Sequence, residues 1–225
     1  MRTQTFFGCP QSFCYDHEVD DFVVDTSGNK PIVILFRGLY YWRLLTKHGD
    51  IPLSLPLVAN AKVIGKDDEP WPGLQGLRYI DAAEAFTIDG KQVVLIFKDR
   101  RIYTVVDGET AETKVKTLFA DKFDHSVDSV WYNRVEKLLF LFTANRFQTY
   151  SVSLTEDGNI SCSLVGHSLR GIFNEFAGLP QHISAILSNL EDKTYFLKNM
   201  WYYVIPEKGW NVGDEKIKPK ITFDP

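Results

Sequence analysis

Four stretches of this 225-residue chain follow one grammar, and that repetition limits the fold more than any single motif does. They are "VDDFVVDTSGNKPIVILFRGLYYWRLL" from Val19, "IDAAEAFTIDGKQVVLIFKDRRIYTVV" from Ile80, "VDSVWYNRVEKLLFLFTANRFQTYSV" from Val127 and "ISAILSNLEDKTYFLKNMWYYVI" from Ile183. The spacing between their starts varies, and the variation falls between units, where loops absorb insertions at small entropic cost. Each unit opens with a short apolar strand and a polar turn: "TSGNK", "IDGK", "NRVEK" or "NLEDK". A second apolar strand ends in "LF", "IF", "LF" or "FL", and after a tight turn a third strand carries the aromatics. Asp89-Gly90 is a hairpin signal, since both positions tolerate the positive φ of a type I′ turn. The second turn carries Gly38, Asp99, Asn145 and Asn199, residue types that accept left-handed geometry. Asn145 stands one place later than its counterparts, so the third unit is expected to turn differently.

After the third strand each unit breaks into polar residues, an outer strand and in places a short helix. The clearest helix is "SLRGIFNEFAGLP": Ser168 can cap it, Leu169, Ile172, Phe173 and Phe176 share a face, and Gly178 and Pro180 stop it. A meander of this kind cannot bury both its faces alone, whereas radial packing of four copies does so and protects most strand edges. The expected fold is all-β: one four-bladed β-propeller over 1–225 with short helices between blades. The blades fall at about 14–70, 71–120, 121–175 and 176–212. The charged, Pro-containing stretch 213–225 is a loose tail.

Composition agrees. A hydrophobic share of 44% with 24% charged residues excludes global disorder, and an aromatic share of 14% favours strands. A net charge of −4 and a pI near 5.7 give no bulk attraction to nucleic acid or anionic lipid. No apolar run approaches the roughly 20 residues that span a bilayer, and "MRTQTFFGCPQ" lacks a signal peptide's apolar region. The sequon at Asn159 and the closeness of Cys9 to Cys14 point to an extracellular setting, with the cytoplasm as the alternative. Three cysteines, Cys9, Cys14 and Cys162, leave every pairing open and one thiol over. Cys162 is expected to face the core or a partner thiol.

The starts at Asp20, Asp81 and Asp128, followed by Phe-x-Gly-x-x-Tyr-Trp in "FRGLYYW", resemble the hemopexin-like repeat. "IDAAEAF", preceded by "WPGLQG", is similar to it, and "FAGLP" echoes the same linker before the fourth unit. The resemblance covers about residues 14 to 210. It implies the four-bladed propeller of hemopexin, vitronectin, the C-terminal domains of matrix metalloproteinases and some plant seed albumins. Three departures stand out: Ser184 replaces the fourth Asp, Gln148 stands where an aromatic is common, and no cysteine follows Cys162. Cys14 matches the family's first-blade cysteine, yet the usual disulfide closing the ring has no second partner, so closure must rest on packing or on another pairing.

Side-by-side inner strands bring backbone carbonyls together on an axis, and oxygen ligands suit a hard cation. By the resemblance, the carbonyls of Asp20, Asp81, Asp128 and Ser184 would hold calcium or sodium in the central tunnel. The N–H groups of Phe22, Ala83, Val130 and Ile186, further in, would hold an anion such as chloride. The plainer alternative is a water-filled tunnel in which the Asp side chains fix turns. Haem would need a positioned His, and His125 and His182 precede the third and fourth inner strands on one rim. Hemopexin, however, captures haem between two propellers and this chain has one. A polyamine or another small cation at the tunnel mouth is a further reading.

Enzymatic motifs are lacking: there is no His-Glu-x-x-His, no Gly-x-Ser-x-Gly, no phosphate loop and no Cys-x-x-Cys. Acidic pairs such as Asp20-Asp21 and the Asp67 to Glu69 run read as turns and solvated loops. The aromatic and basic stretch "FRGLYYWRLL" invites comparison with a base-stacking surface, with Arg37, Arg43, Lys98, Arg100, Arg101 and Lys198 supplying charge. Its alternation with apolar residues instead predicts packing between blades, and no nucleic-acid partner. The expected function is a non-catalytic extracellular binding module that meets a protein or matrix partner through its faces or rim. The alternatives are a carrier of haem, polyamine or metal, and an exosite domain of a metalloproteinase-like protein.

Overall fold

A computed structural model describes residues 19–45, 62–64, 71, 74, 77, 79–119, 123, 125–172, 176, 179–188, 190, 193–198 and 201–205. Their strands form four antiparallel sheets. The first runs β1 (Asp21–Asp25), β2 (Ile32–Arg37), β3 (Tyr40–Leu45) and β4 (Lys62–Val63). The second is β5 (Ala82–Ile88), β6 (Lys91–Lys98), β7 (Arg101–Val106) and β8 (Glu109–Lys114), followed by one helical turn, α1 (Val115–Leu118). The third is β9 (Ser129–Asn133), β10 (Leu138–Thr143), β11 (Arg146–Leu154) and β12 (Ile160–Gly171). The fourth is β13 (Ala185–Ser188), β14 (Thr194–Lys198) and β15 (Trp201–Ile205).

The first strand of each sheet is innermost. β1 touches β5 and β13, and β9 touches the same two, so the inner strands close a ring of four blades. Each seam between blades holds its own apolar cluster. Val23 and Phe36 meet Ala83 and Val94 between the first and second blades, and Phe86 and Phe97 meet Val130 and Tyr150 between the second and third. Trp131 and Phe140 meet Ile186 and Phe196 at the next seam, and Leu187 and Leu197 meet Phe22 and Leu35 where the ring closes. Alternate residues of one strand therefore face opposite seams, which is why β2, β6 and β10 read as unbroken apolar runs.

The hairpins follow the expected turn chemistry. Asp89 and Gly90 take φ values of 50° and 79°, and Asp107 and Gly108 repeat the pair between β7 and β8. Gly38 and Asp99 are left-handed at 55° and 54°. In the third blade the left-handed residue is Ala144, at 51°, and not Asn145; Asn199 lies outside the described residues.

The expected helix from Ser168 is not formed as drawn. β12 continues through Gly171, pairing with β11 across a register shift between Phe147 and Thr149, so Ser168 lies in a strand and not at the start of a helix. Gly166, at φ 92°, sits within the stretch of β12 that this shift skips. Among the described residues, Phe176 N–H donates to Ile172 O at 2.8 Å, a helical bond, with both side chains buried against Trp131 and Phe140. The apolar spacing was real, but the partner strand claimed its first half.

The aromatics of "FRGLYYWRLL" divide. Tyr41 is buried, Trp42 is half-buried and Tyr40 is 45% exposed, so only part of "YYW" packs between blades. Gln148, in a place where an aromatic was expected, is buried and accepts the Tyr150 hydroxyl at 2.9 Å.

Candidate functional site: the axial tunnel

The four predicted rim residues come together. Asp20, Asp81, Asp128 and Ser184 line one cup of about 600 Å³ at the starts of the inner strands, joined by Asp99, His182 and Lys198. Their backbones repeat one pattern. Asp20 N–H donates to Phe36 O, Asp81 to Phe97 O, Asp128 to Phe142 O and Ser184 to Leu197 O, all between 2.9 and 3.0 Å. The acceptors are the final apolar residues of the "LF", "IF", "LF" and "FL" strands.

The aspartate side chains clasp the turn of their own blade. Asp20 Oδ2 accepts the N–H of Gly38, Asp81 Oδ2 that of Asp99, and Asp128 Oδ2 that of Ala144 at 2.5 Å. Each clasped residue is left-handed, so the carboxylate satisfies an N–H that the tight turn leaves without a ladder partner. Ser184 is too short for this and donates to Leu197 O at 3.1 Å. Asp81 also accepts Lys98 Nζ at 3.1 Å, while Lys198 Nζ donates to Gln181 O.

The anion expectation requires correction. Phe22 N–H and Ala83 N–H donate to the two carboxylate oxygens of Asp21 at 2.8 and 2.7 Å, and Ile186 N–H reaches Oδ1 at 3.2 Å. Three of the four N–H groups assigned to a free anion thus hold a carboxylate of the chain itself. Asp21 is fully buried, not part of a solvated loop. Strand register places Ala82, Ser129 and Ala185 at its level in the other blades, and these small side chains leave the axis to one carboxyl group.

Further along the axis Glu84 repeats the device. It accepts Ala85 N–H and Tyr132 N–H, both at 2.9 Å, bridging the second and third blades. Burial pushes its carboxyl up to about 7, against the lowering effects of the Tyr132 N–H, the Arg134 charge and the Ala85 N–H. Burial likewise raises the Asp21 carboxyl; its three N–H donors oppose this and the nearby Glu84 adds to it. The sequence signal for both was an acidic residue inside a continuous apolar strand, "VDDFVV" and "AAEAF".

The two histidines are not brought into one pocket. His182 lines the cup with φ 55°, whereas exposed His125 sets its ring edge-on to Phe123 and is not part of the lining. Among the described residues no group of three or more His, Cys, Asp or Glu side chains is placed to hold a metal ion. A cation in the cup would depend on main-chain oxygen, as the donor set of Asp and Ser positions allows.

Cys162 is a free thiol buried among Tyr150, Phe119 and Phe123, and burial pushes it up to about 12. It faces the core because β12 pairs Cys162 with Val152 and turns it inward. Cys9, Cys14, the Asp67 to Glu69 run and the 213–225 tail lie outside the described residues. Asn159 is exposed in the β11–β12 turn, its N–H donating to Thr155 Oγ1 at 3.1 Å.

Solved structures share this fold. The hemopexin-fold protein CP4 from cow pea superposes with a TM-score of 0.63 at 16% identity, covering 91% of this chain and 92% of that one. The chain has the hemopexin fold. A 2S albumin seed protein from Dolichos gives 0.63 at 15% identity over 91% and 93%, and a Cicer arietinum albumin showing hemagglutination gives 0.61 at 13% over 91% and 92%. No family profile and no characterised protein matches the sequence itself. At such identities the hemopexin likeness is one of fold.

Proposed function

We propose that this hemopexin-fold chain is a binding module, and that its working site is the acidic cup at the tunnel mouth, which takes a hard cation, calcium before sodium. The observation that carries this is the convergence of Asp20, Asp81, Asp128 and Ser184 on one cup, each held by the same backbone bond. Three of these side chains are occupied in clasping turns, so the main-chain oxygens at this level are the ligands on offer. Asp99 adds negative charge, against one lysine in the lining. Binding, rather than catalysis, also suits the buried carboxyls: Asp21 and Glu84 spend their oxygens on backbone N–H groups that join blades.

Calcium titrated into chelator-treated protein is expected to release heat and to raise the melting temperature with concentration, as any ligand of the folded state does. Magnesium, which demands a tighter octahedral shell, should do less. An unchanged melting temperature in millimolar calcium would remove the cation from the reading.

A second reading, contact with a protein or matrix partner in an extracellular setting, is favoured by the first blade. Tyr40 and Leu45 of β3 are 45% and 67% exposed, and among the described residues β4 pairs with Tyr40 and Tyr41 alone. The hemagglutination named for the Cicer arietinum albumin is in keeping with a surface of this kind. Loss of partner capture on Tyr40→Ser and Leu45→Ser, with the fold intact, is the outcome this reading requires.

A further inference from the structure

At the opposite end of the tunnel the inner strands finish around a second pocket, of about 380 Å³. Thr26 after β1, Ala85 to Ile88 of β5, Tyr132 of β9 and Leu190 after β13 all reach it, so every blade contributes. That volume suits a one- or two-ring molecule, at the small end of ligand sites.

Its charge is opposite to that of the cup. The lining is mixed: Phe86 and Tyr132 stack at 4.1 Å and 17°, with Ile88 and Val152 beside them, while Thr26, Thr87 and Asp89 add polar groups. Leu190, 40% exposed, stands at the lip. Arg134 and Lys137 supply two positive charges to the lining against one negative charge from Asp89, and the Arg134 charge also acts on the buried Glu84 carboxyl. Lys137 is held at the β9–β10 turn by a left-handed backbone, φ 56°, and has no ion pair among the described residues. A cleft with aromatic and aliphatic side chains in its lining and two cationic residues among them suits a flat ring bearing one negative group. A cation of the same shape would meet Arg134 and Lys137 as like charges.

We propose that this pocket binds a small aromatic carboxylate, its ring against Phe86, Tyr132 and Leu190 and its carboxylate at Lys137 and Arg134. Such a ligand covers the exposed leucine and pairs the lysine, neither of which requires any movement of the blades. The Phe86–Tyr132 wall is continuous with the seam behind it, so it is rigid and already shaped.

The test is calorimetric titration of the intact chain with indole-3-acetate and, as its cationic counterpart, tryptamine. Indole-3-acetate is expected to bind in the sub-millimolar range, at least ten times more tightly than tryptamine, and more weakly as salt rises. Lys137→Glu, on an exposed turn, should weaken it at least tenfold, and Leu190→Glu likewise; circular dichroism and melting confirm that each variant is folded. The proposal is overturned if millimolar indole-3-acetate gives no heat, if tryptamine binds equally well, or if both folded variants keep the affinity within twofold. Calcium binding at the far cup is unaffected by any of these results, so the two sites stand or fall separately.

Discussion

Asp21 Oδ1 accepts the N–H of Ile186 at 3.2 Å, a bond between the first blade and the last. The same carboxyl takes Ala83 N–H of the second blade at 2.7 Å, so one side chain at the axis ties three blades. Among the described residues no disulfide closes this ring. The Asp21 bonds, and the apolar seam of Phe22 and Leu35 with Leu187 and Leu197, do the closing.

Asp21→Ala would leave three buried N–H donors unpaired, each costing about 1–3 kcal/mol. The expected loss is on the order of 3–5 kcal/mol in urea unfolding. Asp21→Asn should fall between, because an amide offers one acceptor oxygen in place of two. A loss below about 1 kcal/mol for the alanine variant would show that the ring closes without this group.

Stability should fall as pH rises through the neutral range. Glu84 has a folded-state value of about 7, above the ordinary 4.5, so the unfolded chain releases this proton first. Its contribution is complete below about pH 4.5 and is lost as pH climbs through 7, a change of about 3 kcal/mol. The raised Asp21 carboxyl acts in the same direction. Urea midpoints at pH 5, 6, 7 and 8 should decline for the native chain and more shallowly for Glu84→Gln. Parallel curves for the two proteins would refute the assignment.

Trp131→Ala should cost about 3–5 kcal/mol. Its ring stacks on Phe140 at 4.9 Å, meets Phe196 edge-on at 5.6 Å, and its Nε1–H donates to buried Ser188 Oγ at 2.9 Å. Half-buried Trp42, beside exposed Tyr40, should cost clearly less, about 1–2 kcal/mol. Equal losses at the two positions would mean that Trp42 is covered as fully as Trp131.

Cys162 should resist alkylation in the folded protein. With its thiol buried and pushed up to about 12, almost no thiolate exists at pH 8. Peptide mass spectrometry after iodoacetamide should find Cys162 unmodified in the native chain and fully modified in urea. Rapid native labelling, or recovery of Cys162 in a disulfide, would contradict its place in the core.

Clasping by the rim aspartates predicts a milder effect. Asp128→Ala frees the N–H of Ala144 on a solvent-accessible turn, where water can replace the carboxylate. About 1 kcal/mol is expected from thermal unfolding. A loss of several kcal/mol would indicate that the clasp holds more than its own turn.

Sequence alone determined the repeat, the hairpins and the level of the rim. Those features are local: turn residues at fixed offsets and apolar runs of strand length carry their own conformational preference. The Asp20, Asp81, Asp128 and Ser184 level was legible because each is the second residue of its repeat, directly after Val19, Ile80, Val127 or Ile183. Three things were decided only by the assembled ring. Asp21 read as half of a solvated acidic pair, since nothing local shows that Ala82, Ser129 and Ala185 leave it the axis. Ser168 read as a helix cap, since the helical spacing after it is visible in sequence whereas the extension of β12 through Gly171 is not. The charges divide between the two mouths, with Asp99 joining the acidic cup and Arg134 and Lys137 at the other end, because parallel inner strands gather distant residues by level. Hydrogen bonds and burial across blades outweigh local preference wherever the two compete, and the axis is where four chains of contacts meet.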